Sequence, residues 1–438
     1  MKISFVEPRG AFEGFSFGWL KHLPMTGPLY LATILKQHGH DVEVIRESIK
    51  EVDCEKLDCD VLCLSIMTST ARRGYEIARQ FKKINPGKRV IVGGVHATFK
   101  PKEALKYADI VLVGEGDTII TDLVENGHKG IVQGNPCNDL DALPYPDLSL
   151  LKNTKLPLPR TPISTSRGCP FNCNFCSVTE MFGRGYRFRS PENIVNEITS
   201  RKNKRLFFYD DNFGAVKSRT KEILKRMKEN KVYTSWATQS RIDVSNDDEL
   251  MNLMVETNCN YLCLGLESIN PETLKEYNKH QELDGIKKAI KRIHDYGIKI
   301  HGMFVFGADK DNKKVIRDTV EFCNQMEIES PQFSILTPLP GSQLYNQLDE
   351  QGRIFSKNWD LYDLNHVVFQ PKSMSAYELQ KSVVNATRDL YWITRRGWRF
   401  FFENFGSGLR DISNCIKWYK DHNRYLNFLK KSINTKKS

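Results

Sequence analysis

No run of 18 apolar residues occurs in the 438-residue sequence, so it offers no helix able to cross a bilayer. The N-terminal MKISFVEPRG lacks the charged segment and apolar core of a secretory signal and reads as a strand entering a loop. Internal repeats and low-complexity tracts are missing as well, which excludes solenoids and long disordered arrays. A disulfide framework is excluded by different signs: the eleven cysteines are odd in number and sit mostly inside apolar runs. The expectation is a soluble, cytoplasmic protein in a reducing compartment, with cysteine reserved for metal chemistry. Its length predicts two or three domains.

Acidic residues are scarce at one end. The chain carries a formal charge of +11, and residues 381–438 hold 13 Lys or Arg against 4 Asp or Glu, so nine of those charges lie in the tail. Such a tail suits nucleic acid, an anionic membrane surface or an acidic partner; a plain solvated face is the alternative. Glycines at 397, 406 and 408 interrupt a long recognition helix, so no nucleic acid is expected as a partner. Aromatic residues interleave with the basic ones (Trp392, Trp398, Phe401, Phe402, Phe405, Trp418, Tyr419, Tyr425, Phe428), which fits either a helical cap or peripheral contact with a membrane.

The rest of the sequence is α/β. Near-continuous Val/Ile/Leu strands (KISFV, DVEVI, DVLCLSI, RVIVGG, DIVLVGEG) alternate with helical runs over residues 1–135, predicting a doubly wound, Rossmann- or flavodoxin-like parallel sheet. Residues 136–160 read as a linker: five prolines fall between 131 and 160, with no sustained periodicity. Six further strands with intervening helices over 161–371 predict a partial (β/α)6 TIM-like barrel. Residues 372–438 form a small helical, basic and aromatic region. In both sheets the ligands are expected beyond the carboxyl ends of the strands.

At the first barrel strand stands TSRGCPFNCNFC, with Cys169, Cys173 and Cys176 spaced C-x3-C-x2-C. A closed zinc site needs a fourth Cys or His, and no second spacing supplies one. Cys259 and Cys263 lie along a strand, where four residues span roughly 13 Å, so they read as core, as do Cys59 and Cys63. Three closely spaced thiolates suit a four-iron four-sulfur cluster with one iron left open.

This spacing, with Phe175 before the last cysteine and a barrel strand before the first, resembles the signature of the radical S-adenosylmethionine (SAM) superfamily. The resemblance implies that SAM chelates the open iron and is cleaved reductively to a 5′-deoxyadenosyl radical, with an electron from a donor such as flavodoxin or ferredoxin. It also implies SAM contacts at successive strand ends: Tyr209, Asp210 and Asp211 in YDDN, where many relatives carry Gly-Gly-Glu; Gln239, Ser240 and Arg241 in QSRID; Glu267 and Ser268 in GLES. Each is chemically apt, Arg for a carboxylate and Glu for ribose hydroxyls. Each also has a plain reading as a helix cap or surface polar residue.

Before such a barrel, the doubly wound domain resembles the cobalamin-binding domain of B12-dependent radical SAM proteins, a group that includes class B methylases, hopanoid methylases and the magnesium-protoporphyrin ester cyclase. Ser65 and Met67 stand where the family has Ser-x-Leu, Gly93 and Gly94 follow at a similar interval, and VGEGD supplies Gly114 and Glu115. The Asp-x-His-x-x-Gly loop that gives cobalt a histidine is missing, and EPRGAFEGFSFGW stands in its place. His96 is the nearest histidine and reads as a loop hydrogen-bond partner; a domain that no longer holds cobalamin is the plain alternative.

The resemblance implies a methyl transfer from methylcobalamin to an unactivated carbon of a small-molecule or lipid-like substrate. The competing reading is a B12-radical SAM reaction without methyl transfer, such as oxidative cyclisation or rearrangement. A cobalamin- or cluster-binding sensor is the reading from another class. A methylthiotransferase fits less well, since the first domain lacks a three-cysteine set for a second cluster and the tail does not read as a small β-barrel.

Overall fold

The computed structural model describes residues 1–12, 23–154, 156–183, 185–201, 205–392 and 408–434. The first lobe is one parallel sheet of seven strands: β1 (Lys2–Glu7), β2 (Asp41–Arg46), β3 (Val61–Ser65), β4 (Arg89–Gly93), β5 (Ile110–Val113), β6 (Gly130–Gln133) and β7 (Leu151–Lys152). They run in the order β6-β5-β4-β3-β1-β2-β7, so the direction of winding reverses between β1 and β3. A ligand crevice forms at such a reversal.

The strands read as apolar runs because both faces are covered. Ile3, Phe5, Val44, Cys63 and Ile91 pack under the helix Thr26–Gln37 through Leu29, Ala32 and Leu35. On the other face Val6, Leu62, Leu64, Val90 and Val92 meet the helix Ala71–Ile84 through Tyr75, Ala78 and Phe81. The sequence reads as five strands, and the structure adds one short strand at each edge. β6 pairs with β5, and β7, drawn from the proline-rich stretch, pairs with β2. Edge strands this short carry too few residues for a periodicity.

The second lobe begins at β8 (Thr161–Ile163), after which the chain makes a two-residue ribbon, β9 (Ser166–Arg167) with β10 (Arg187–Phe188). Five longer strands follow: β11 (Arg205–Phe208), β12 (Ser235–Ser240), β13 (Cys259–Glu267), β14 (Lys299–Phe306) and β15 (Ser330–Ile335). The order β15-β14-β13-β12-β11-β8 is sequential and parallel, and among the described residues β8 and β15 do not pair, so the barrel is partial. Ser190, Asp247, Asn270, Asn312 and Ser342 each accept a backbone N–H in the first turn of the helix they precede. These caps fix where each strand end stops and its loop begins.

One apolar core runs from Val6 and Val92 of the first lobe to Leu206 and Phe304 of the second. Polar contacts reinforce it: Arg72 donates to Asp360 at 2.7 Å, and the Trp359 indole donates to Glu103 at 2.8 Å. The C-terminal region is helical, with Ala376–Trp392 beside β15 and Gly408–Asn434 packed on that helix through Trp418, His422, Tyr425 and Leu429. The aromatic residues Trp398, Phe401, Phe402 and Phe405 lie outside the described residues. No helix among the described residues is long and apolar enough to cross a membrane.

Candidate functional site

The cysteine loop leaves the barrel top through the β9–β10 ribbon. Gly168 opens it at φ +91°, where a Cβ would come within 2.9 Å of the Gly185 carbonyl, so only glycine lets the two sides of the loop approach. Cys169, Cys173 and Cys176 are all half-buried, and the Cys176 N–H donates to the Cys173 carbonyl at 3.1 Å. Burial pushes all three thiols up, Cys176 to about 12. Asp211 adds to the upward push on Cys169 and Cys176, and the three thiols act on one another. Thiolate ligation therefore requires a cationic centre that displaces the protons.

The donor set fits an iron-sulfur cluster. Among the described residues no three Cys, His, Asp or Glu side chains converge on a single ion. A cluster makes no such demand, because its thiolates sit on different irons.

The loop is held by the turn that ends the helix Pro271–Glu276, which follows β13. The Asn174 side chain donates to the Glu276 carbonyl at 2.7 Å, and Asn278 donates to the Asn172 carbonyl at 2.8 Å. Phe175 packs its ring edge-on to Tyr277 at 5.0 Å. Next in this turn stands Lys279, buried and paired with Glu267 at 2.7 Å, while its carbonyl accepts from Arg241. Arg241 is buried too and lies 4.0 Å over the Phe171 ring, reaching the Cys173 thiol. Two cations thus border Cys173, where they favour a thiolate. Arg241 was legible from its place after β12; Lys279 carries no such signal in the sequence.

The acid pair divides. Asp210 is buried and wholly engaged: Thr165 N–H and Ser166 N–H donate to it at 2.8 Å, and the Thr165 hydroxyl at 2.6 Å. Its carboxylate therefore fixes the turn between β8 and β9. Asp211 is exposed in the loop after β11, and among the described residues no hydrogen bond or ion pair engages it. Surrounding protein still desolvates it, and with Asp210 beside it its carboxyl rises to about 7. Such a carboxylate is matched to a cationic group. Tyr209, at the end of the same strand, is 36% exposed.

Gln239 is half-buried at the end of β12, and the Ser240 hydroxyl lies 3.5 Å from Asn212 Oδ1. The Asn212 Nδ2 atom is buried without a hydrogen-bond partner, as a polar group awaiting a ligand would be, whereas Arg241 Nε has the Asp243 carboxylate at 3.6 Å. Glu267 takes φ +62° at an irregularity in the β13–β14 register, an unusual backbone state for a non-glycine residue. Ser268 accepts from the Asn270 N–H at 3.0 Å and so starts the following helix.

In the first lobe Ser65, Gly93, Gly94 and Gly114 end neighbouring strands β3, β4 and β5. Gly94 has φ +95°, and a Cβ there would lie 2.7 Å from the Ile66 carbonyl. These strand ends present backbone and small side chains, a cradle suited to a bulky flat ligand. Met67 beside them is 48% exposed. His96 is a buried hydrogen-bond partner, with Thr68 at 3.3 Å and Glu103 at 3.4 Å, but it stands in the short helix Val95–Phe99 and not in a loop. Glu115 does not point into the cradle. Its carboxylate accepts from Arg167 and Arg187, one residue from each strand of the ribbon that leads into the cysteine loop. The four remaining predicted core cysteines, Cys59, Cys63, Cys259 and Cys263, are buried among apolar residues.

Two domains of known families coincide with this geometry. Residues 163–323 match the radical SAM superfamily, and residues 22–124 match the B12 binding domain. The chain belongs to the radical SAM enzymes that carry a B12-binding domain, and it is a cobalamin-dependent radical SAM enzyme whose cofactors are a 4Fe-4S cluster, SAM and cobalamin. Among its relatives, the bacteriochlorophyllide d C-8(2)-methyltransferase of Chlorobaculum tepidum is 30% identical over 83% of this chain and 84% of its own. The anaerobic magnesium-protoporphyrin IX monomethyl ester cyclase of Cereibacter sphaeroides is 24% identical over 95% of this chain and 74% of its own. The fold is shared with the radical SAM methyltransferase TsrM of Kitasatospora setae, at a TM-score of 0.63 and 14% identity over 80% of this chain and 78% of that one.

Proposed function

We propose that the protein methylates an unactivated carbon of a small-molecule substrate held between the two lobes. The observation that carries this reading is that strand ends of the two lobes meet: Arg167, beyond β8 and two residues before the first cysteine, donates to Glu115 and Asp117 beyond β5. When bound, the cluster with SAM supplies a hydrogen-abstracting radical and cobalamin supplies a transferable methyl group. In this reading Cys169, Cys173 and Cys176 hold three irons. Asp211, with Tyr209 beside it, receives the SAM amino group, while Asp210 fixes the turn behind them. Arg241 meets the carboxylate with Gln239 and Ser240 alongside, and Glu267 with Ser268 borders the ribose. Phe175 packs the loop down on Tyr277. Ser65, Gly93, Gly94 and Gly114 line the corrinoid, and Glu115 serves the loop from outside that cradle. The division into residues 1–135, 136–160, 161–371 and 372–438 follows the same assignment of roles.

The protein's own part is to position these groups and to shut out dioxygen and stray hydrogen donors, which would divert a carbon radical. The experiment is anaerobic reconstitution with iron, sulfide and hydroxocobalamin, then SAM and a reductant. Formation of S-adenosylhomocysteine beside 5′-deoxyadenosine, with a substrate gain of one CH2, supports methylation. 5′-Deoxyadenosine without S-adenosylhomocysteine favours the second reading, a cyclisation or rearrangement, which the likeness to the cyclase over most of this chain keeps in view. An electron donor of the flavodoxin or ferredoxin type is part of either. The outer face of the helix Gly408–Asn434, with Phe428 at 55% exposure, Ile416 at 43% and Lys420 and Arg424 beside them, is proposed to rest on an anionic membrane surface and admit a lipid-like substrate.

A further inference from the structure

Arg167 and Arg187 stand directly opposite one another across the β9–β10 ribbon. Like charges in that position repel, and a ribbon of two residues a side has little else to hold it. Both guanidinium groups are nonetheless nearly buried, at 15% and 12% side-chain exposure. The charges that balance them come from the other lobe. Arg167 donates to Glu115 at 2.6 Å and to Asp117 at 2.5 and 3.0 Å, and Arg187 donates to both Glu115 oxygens and to the Cys137 carbonyl. Arg167 also lies 5.6 Å over the ring of Tyr30, again from the first lobe. Two acids meet two bases, so the group is neutral only when both lobes contribute. Removing the acids would leave two buried cations facing each other, a strongly unfavourable state.

We infer that Glu115 and Asp117 are positioning residues for the cysteine loop: the β5 loop of the B12-binding lobe closes the ribbon from which Cys169 departs two residues later. The loop that holds the cluster is thus completed by the lobe of the same chain that holds the other cofactor. This rests on the reading of Cys169, Cys173 and Cys176 as cluster ligands.

The test uses the full chain, reconstituted with iron and sulfide alone. Iron per chain, the electron paramagnetic resonance spectrum of the reduced cluster and the rate of iron loss to a chelator are measured, with hydroxocobalamin binding followed separately by absorbance. The double variant Glu115→Gln with Asp117→Asn keeps shape and removes charge. It is expected to lose iron about 10-fold faster and to show an altered resonance spectrum, as changes behind metal ligands do, while binding hydroxocobalamin like the wild type. Asp117→Glu, which keeps the charge, is expected to retain the cluster. A double variant that holds its cluster as the wild type does overturns the inference alone, as does one that loses corrinoid and cluster together. A wild-type chain that takes up no cluster overturns the cluster reading itself, and this inference with it.

Discussion

At the scale of single residues, charge inside the second lobe is arranged in pairs whose members have little meaning alone. Lys279 and Glu267 meet at 2.7 Å with side chains 8% and 9% exposed. Lys279→Met would strand a buried carboxylate, and a loss of about 3–5 kcal/mol in chemical unfolding is expected. Removing both charges, in Lys279→Met with Glu267→Gln, is expected to restore most of it. Asp311 behaves differently, with no cation against it among the described residues. It accepts from Thr273 at 2.7 Å and from the Gly307 and Ala308 N–H groups, yet burial lifts its carboxyl to about 6 from 3.8. Between those values the folded protein binds more protons than the unfolded chain, so this group's contribution to stability falls as pH rises from about 4 to about 6. Asp311→Asn removes that slope. Its stability relative to wild type is expected to grow across this window and level off above it, at no more than roughly 3 kcal/mol. Unfolding midpoints at a series of pH values test this. The three cysteines were legible because their spacing is local. The split between Asp210 and Asp211 was not, since it depends on which carboxylate meets the backbone of a turn 45 residues away.

At the scale of elements, strand ends set by glycine matter more than strand bodies. Gly94 at φ +95° lets the turn after β4 lie against the backbone of Ile66. Gly94→Ala adds both backbone strain and a contact that must move, and a cost of about 1–3 kcal/mol is expected, with weaker hydroxocobalamin binding. Unchanged corrinoid affinity in that variant would place the ligand elsewhere. The long strands were legible from their hydrophobic runs, which two covered faces demand. β6, β7, β9 and β10 were not, because two to four residues leave no period to detect. The ribbon could have been suspected only from charge: TSRGC supplies a cation before the first cysteine, and GEGD supplies two acids with no nearby partner in sequence.

At the scale of the whole molecule, the charge asymmetry read from the sequence is carried by elements outside both sheets. The helix Gly408–Asn434 buries Trp418, His422, Tyr425 and Leu429 and turns Lys420, Arg424 and Lys430 outward. Cosedimentation with phosphatidylglycerol vesicles at low salt is expected, with loss at high salt and in Lys420→Glu with Arg424→Glu. Failure to bind at low salt removes the membrane contact. The way the two lobes close on each other was not legible, since it rests on pairs such as Arg72 with Asp360, nearly 300 positions apart.

Only eight residues separate the end of β7, stitched into the far edge of the first sheet, from the start of β8. So short a tether gives each lobe an effective concentration of its partner in about the millimolar range. Ionic contacts too weak to unite free proteins can therefore hold these two together. The apolar core that runs through both lobes adds to them, so the seam is closed by burial as well as by charge.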